Sequence, residues 1–166
     1  MTAQQLRKAH MAGIILTGVD GSETAQEAAE KAASLATALH AELHVLSAFT
    51  VDLTETLRTV RSNYDSAGVA DAVKDLTLRH ANGAERTAAT VAEALRTQFP
   101  DLKITSRAAE GSPGSVLANE AERVQADTIV VGNRRVQGAA RLLGSVARTV
   151  ANEAACDLYI VYTHQR

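Results

Sequence analysis

Aromatic residues are scarce in this chain: they make up 3% of it, tryptophan is absent, and yet hydrophobic residues reach 46%. The core must therefore be Ala, Val, Leu and Ile, and the aromatic platforms on which single-stranded nucleic acids stack are missing. Cysteine is almost lacking as well. Cys156 stands alone, which excludes an intrachain disulfide and fits a reducing compartment, the cytoplasm. Neither sign of charge dominates, because 17 Lys+Arg against 19 Asp+Glu leave a net charge of −2. No basic field then points to nucleic acid or to an anionic membrane. No apolar run is long enough to span a bilayer, and the first dozen residues lack the apolar stretch of a signal peptide, so residues 1–12 are expected to be a disordered start. There are two prolines in 166 residues and no Pro/Ser-rich tract to divide them, a length that suits one domain with a sizeable core.

What is present is an alternation of two patterns. Short apolar, β-branched runs read as strands: residues 13–19, Glu42 to Phe49, a more amphipathic run from Leu102 to Ala108 near a sheet edge, Thr128 to Val131, and Leu158 to Tyr162. Between them lie stretches of helical period. The first follows Ser22 or Asp20 as cap and runs to about His40, with Ala28, Ala29, Ala32, Leu35, Ala36 and Leu39 as its apolar stripe. Thr50 to about Gly68 is the weakest pattern and is expected to be a long connection. A long helix follows from about Ala70 to Gln98, with Val73, Leu76, Leu78, Ala84, Thr87, Val91 and Leu95 in register, and Asn82-Gly83 is a possible break. Further helices run from Val116 to about Val124 and from Ser145 to about Ala155. Strict β/α alternation predicts a single domain, residues 13–163, built as an open five-stranded parallel sheet with helices on both faces, followed by a tail at 164–166.

The stretch from Thr128 to Val150 carries the strongest hint of chemistry. A strand ends at Gly132, a basic loop with Gly138 follows, and Gly144-Ser145 opens a helix. A helix N-terminus offers unpaired N–H groups and the positive end of a dipole, which suits phosphate; an ordinary βα turn would show the same residues. Asp20 ends the first strand on the same sheet edge, as a ribose or metal partner or as a local helix cap.

Taken in order, Ile14 to Asp20 with Gly21-Ser22-Glu23, the strand end Ser47-Ala48, the turn Glu110-Gly111-Ser112-Pro113, and Asp127 to Asn133 with Gly144-Ser145-Val146 resemble the universal stress protein family over nearly the whole chain. The resemblance implies a Rossmann-like fold of the adenine nucleotide alpha hydrolase type. It also implies a site where Gly18, Val19 and Asp20 border the adenine and ribose, Ala48 offers backbone groups to the adenine edge, and Ser145 and Val146 place N–H groups on phosphate. The nucleotide-binding members share Gly, two residues, Gly, nine residues and Gly-Ser/Thr; here Gly132 and Gly144-Ser145 match, but Arg135 replaces the second glycine and eleven residues, not twelve, separate Gly132 from Gly144. Asn133, Arg134, Arg135 and Gly138 would form the altered loop, with Arg134, Arg135 and Arg141 adding guanidinium groups suited to phosphate.

The resemblance further implies ATP, AMP or cyclic AMP as ligand, magnesium arriving on ATP phosphates, and a homodimer joined through the last strand, Leu158 to Tyr162. That strand is strongly β-forming, and an uncovered edge invites a two-fold partner. A stress-response sensor or regulator is the first reading, a dimeric interaction module without nucleotide the second, and a slow ATP hydrolase the third. A Walker A loop is excluded because no lysine adjoins Gly144, and no Gly-x-Gly-x-x-Gly follows the first strand. The five histidines show no zinc spacing, and Cys156 reads as a small buried residue rather than a nucleophile.

Overall fold

The computed structural model describes residues 13–51, 66–134 and 143–163. Apolar β-branched runs and alanine-rich stripes alternate, and the elements follow them: β1 (Ile14–Gly18), α1 (Glu23–Leu39), β2 (Glu42–Phe49), α2 (Ser66–Gln98), β3 (Ile104–Glu110), α3 (Pro113–Val124), β4 (Thr128–Arg134), α4 (Ser145–Glu153) and β5 (Asp157–Thr163). All neighbouring strands pair parallel, in the order β3-β2-β1-β4-β5. Successive strand residues point to opposite faces, so a central strand buried on both sides must be apolar throughout. Ile15, Val45 and Val130 accordingly enter one core, while Leu16, Leu46, Ile129 and Val131 enter the other.

Helices cover each face. Ala29, Ala32, Ala33 and Ala36 of α1, with Ala88, Ala92 and Leu95 of α2, close the first core; Val116, Leu117 and Ala121 of α3, with Ala147 and Val150 of α4, close the second. Alanine on a helix face contributes little area per residue but lets the helix lie close to the sheet. Gly114 carries this further, since a Cβ there would fall on the Thr149 side chain of α4. On the edge strand, Arg107 reaches the buried Glu120 of α3 at 3.0 Å, and Arg123 holds the same carboxylate at 2.7 Å. The hydrogen bond from Arg123 and the charge of Arg107 outweigh burial and keep the Glu120 carboxyl below its usual range.

The five parallel strands, the helices on both faces and the edge positions of β3 and β5 are as expected from the sequence. Several boundaries move. β4 runs past Val131 to Arg134 because β5 continues to pair with it, Gly132 with Val161, Asn133 with Tyr162 and Arg134 with Thr163. α2 begins at Ser66 and passes through Asn82-Gly83 without a break, since alanines, the best helix formers, stand on both sides of the pair at Ala81 and Ala84. Two stripe residues are misplaced: Leu39 is 60% exposed and Leu78 52%, while Ala33 is buried in α1 and Ala88 and Ala92 in α2. The expected disordered start at 1–12, the connection at 52–65, the loop at 135–142 and the tail at 164–166 lie outside the described residues.

Candidate functional site

The strand order fixes where a ligand can enter. From β1 the chain steps outward to β2 and β3, then crosses back to β4 and β5, so the neighbours β1 and β4 send α1 and α4 to opposite faces. A crevice opens above the carboxyl ends of such a pair. A cavity of about 630 Å³ lies there, within the range of small-molecule sites. Gly18, Val19 and Asp20 border it from the end of β1, Leu46 and Ala48 from β2, and Val131, Gly132 and Asn133 from β4. Ser22, Thr24 and Ala25 at the start of α1, Pro113 and Leu117 of α3, and Leu143 to Arg148 complete it.

Two of its glycines are explained by packing. A Cβ at Gly132 would stand 2.7 Å from the backbone oxygen of Thr24, and one at Gly18 would stand 2.9 Å from the Leu117 side chain. Both glycines let a helix press down on a strand end, which brings helix N-termini to the cavity rim. Gly144 differs. Its φ of −57° and ψ of 158° are open to any residue, and its amide donates to Asn133 Oδ1 at 3.0 Å. Asn133, itself buried, thus clasps the start of α4 to the end of β4.

The helix starts are finished in different ways. At α1, Ser22 Oγ accepts from the Ala25 amide at 3.2 Å, and Asp20 Oδ1 accepts from the Ser22 amide at 2.9 Å. Gly21, with φ of +80°, makes the turn between them. At α4 the cap is Gly144, which brings no side chain, and the first intrahelical bond runs from the Arg148 amide to the Gly144 oxygen at 3.0 Å. The amides of Ser145, Val146 and Ala147 precede that bond, so the helix ladder gives them no acceptor. All three residues border the cavity. Arg148, one turn on, donates from its guanidinium to the Leu143 oxygen at 3.2 Å. The site therefore pairs an apolar wall, from Val19, Leu46, Ala48 and Leu117, with N–H donors and a cation at α4.

Of the residues singled out in sequence, Gly18, Val19, Asp20, Ala48, Gly132, Asn133, Gly144, Ser145 and Val146 meet at this one cavity. Arg134 is the last residue of β4, and Arg135, Gly138 and Arg141 lie outside the described residues. Sequence reasoning missed Thr24, Leu117 and Arg148. Arg148 was legible in principle, because it stands four residues after Gly144 and so shares its helix face. Cys156 does not border the cavity, and burial, with Asp157 and Asp127 behind it, pushes its thiol up and away from the nucleophilic thiolate. Among the described residues no three His, Cys, Asp or Glu side chains gather as a metal site, and no helix is long and apolar enough to cross a membrane.

A parallel sheet wound in both directions, with a ligand-sized cavity at the switch point, defines a doubly wound α/β domain. Residues 11–162 match the model of the universal stress protein family, and the chain belongs to that family. Among solved structures, it is similar to a universal stress protein in complex with cAMP, at 28% identity and a TM-score of 0.62 over 92% of this chain and 98% of the other. The fold is shared with the universal stress protein UspA from Lactobacillus plantarum, at 22% identity and a TM-score of 0.62 over 90% and 97% of the two chains. It is shared as well with a universal stress protein from Archaeoglobus fulgidus in complex with dAMP, at 18% identity and a TM-score of 0.57 over 90% and 97%. No curated protein sequence matches.

Proposed function

We propose that the chain binds an adenine nucleotide in the cavity above β1 and β4 and acts in the stress response as a cytoplasmic sensor or regulator. The observation that carries this is the uncapped start of α4, whose residues Ser145, Val146 and Ala147, with amides that the helix ladder leaves without an acceptor, border a cavity with an apolar wall. Such donors and the helix dipole favour phosphate, and the wall suits a flat base. In this reading Gly18 and Val19 flank the base, Ala48 offers its backbone to the adenine edge, and Asp20 meets the ribose. Gly132, Asn133 and Gly144 shape the phosphate end, and Arg134 closes the strand that leads to it. The complexes of related proteins with cAMP and dAMP support an adenine nucleotide as the class of ligand. ATP, AMP and cyclic AMP are the candidates. Asp20 is the carboxylate among the described cavity residues, so magnesium, which needs few protein ligands, would arrive on the phosphates of ATP.

Dimerisation belongs to the same proposal. β5 is an edge strand with Tyr159 and Tyr162 exposed, and pairing two copies by a two-fold axis would satisfy both edges. Titration calorimetry of nucleotide-free protein with ATP, AMP and cyclic AMP tests the binding. Saturable heat is expected, with a loss of about tenfold or more in affinity in Gly144→Glu, which places a side chain and a negative charge at the α4 amides. No heat and no thermal stabilisation with any of the three would favour an interaction module without nucleotide, for which the altered glycine spacing speaks. Phosphate release above the Gly144→Glu control would favour a slow ATP hydrolase.

A further inference from the structure

Arg148 occupies a place where a cation is electrostatically disfavoured. The first turn of a helix is the positive end of its dipole and ordinarily carries Asp or Glu, as α1 does with Glu23. The first turn of α4 carries no acidic residue and is followed at once by Arg148. The guanidinium does not turn away from this field. It folds back along the helix to donate to the Leu143 oxygen, the residue before the cap, and Arg148 borders the cavity with the three open amides. No carboxylate among the described residues pairs with it. A guanidinium has five donors, and the bond to Leu143 uses one. An anion at this point would relieve the repulsion between the cation and the dipole and take up the remaining donors.

We infer that Arg148 binds the anionic group of the cavity's ligand, and that it makes the site prefer a nucleoside phosphate over the bare nucleoside. This rests on the nucleotide reading above and names a determinant outside the glycine motif. Arg148 supplies a forked cation beside the Ser145 and Val146 amides, in a sequence that lacks the second glycine of the family motif. The bond to Leu143 aims the side chain, and the phosphate shares its remaining donors.

The test is calorimetry of the wild-type protein, Arg148→Gln and Arg148→Lys with AMP and with adenosine. The expected result is tighter binding of AMP than of adenosine by the wild type, an AMP affinity roughly tenfold weaker in Arg148→Gln, and an adenosine affinity unchanged in that variant. Arg148→Lys keeps the charge and should fall between the two. The ligand-free Arg148→Gln protein should melt no lower than the wild type, since glutamine removes a charge that opposes the dipole. Equal losses for AMP and adenosine, or a lowered melting temperature, would make Arg148 a structural latch and overturn the assignment. An unchanged AMP affinity would overturn it too. Wild-type protein that binds neither compound would remove the nucleotide reading itself, a result distinct from either of these.

Discussion

The two helix starts that meet at the cavity, α1 and α4, have been given opposite finishes. α1 is closed: Ser22 caps it, Asp20 braces the cap, and Glu23 complements the dipole. α4 is left open, with a glycine cap, no acidic residue in the first turn and Arg148 added to the positive end. The difference separates a helix finished for the fold from one whose start matches the ligand site proposed above. A closed start contributes stability to the free protein; an open one would gain it only from an anion.

The comparison can be broken most severely at Gly132, on which the position of α1 depends. Gly132→Leu would drive a side chain into the Thr24 backbone, and a destabilisation of about 3 kcal/mol is expected from chemical denaturation. An unchanged midpoint would mean that α1 is free to move away. Next comes Asn133→Ala, which removes the acceptor of the Gly144 amide and should cost about 1–2 kcal/mol. Hydrogen exchange at Gly144 should then become fast, and continued protection there would show that the clasp is not what holds α4. The smallest effects sharpen the contrast directly. Ser22→Ala should cost about 1 kcal/mol, whereas Gly144→Ser, which hands α4 the cap that it lacks, should change ligand-free stability by a few tenths of a kcal/mol at most in either direction. Equal and opposite changes of full size at the two helices would erase the distinction.

Most of the architecture was legible because the sheet is buried on both faces and its strands are therefore continuous apolar runs. The Glu42–Phe49 strand is read to the residue. The errors have physical causes. Gly132 looked like the end of a strand, but the glycine answers to the Thr24 backbone above it, and pairing with β5 carries the strand on. Leu39 and Leu78 fit a helical period on paper, yet alanines in the same helices take the buried places, because small side chains set the distance between helix and sheet. At the site, glycines, Asp20 and Ser145 could be picked out as punctuation at strand ends and helix starts. Leu117 could not, since it reaches the cavity only once α3 has been laid on that face, whereas Arg148 was within reach through its spacing of four from Gly144.

The bond between Asn133 and Gly144 bears on the history of the loop as well as on its mechanics. It closes a ring between two residues that stand eleven positions apart in the chain. With the two ends fixed to each other, one residue more or fewer in the interior changes the entropy of closing the ring only slightly. It shifts neither the register of β4 against β5 nor the seat of α4. Such a staple uncouples the length of the chain between the two residues from the scaffold on either side of it.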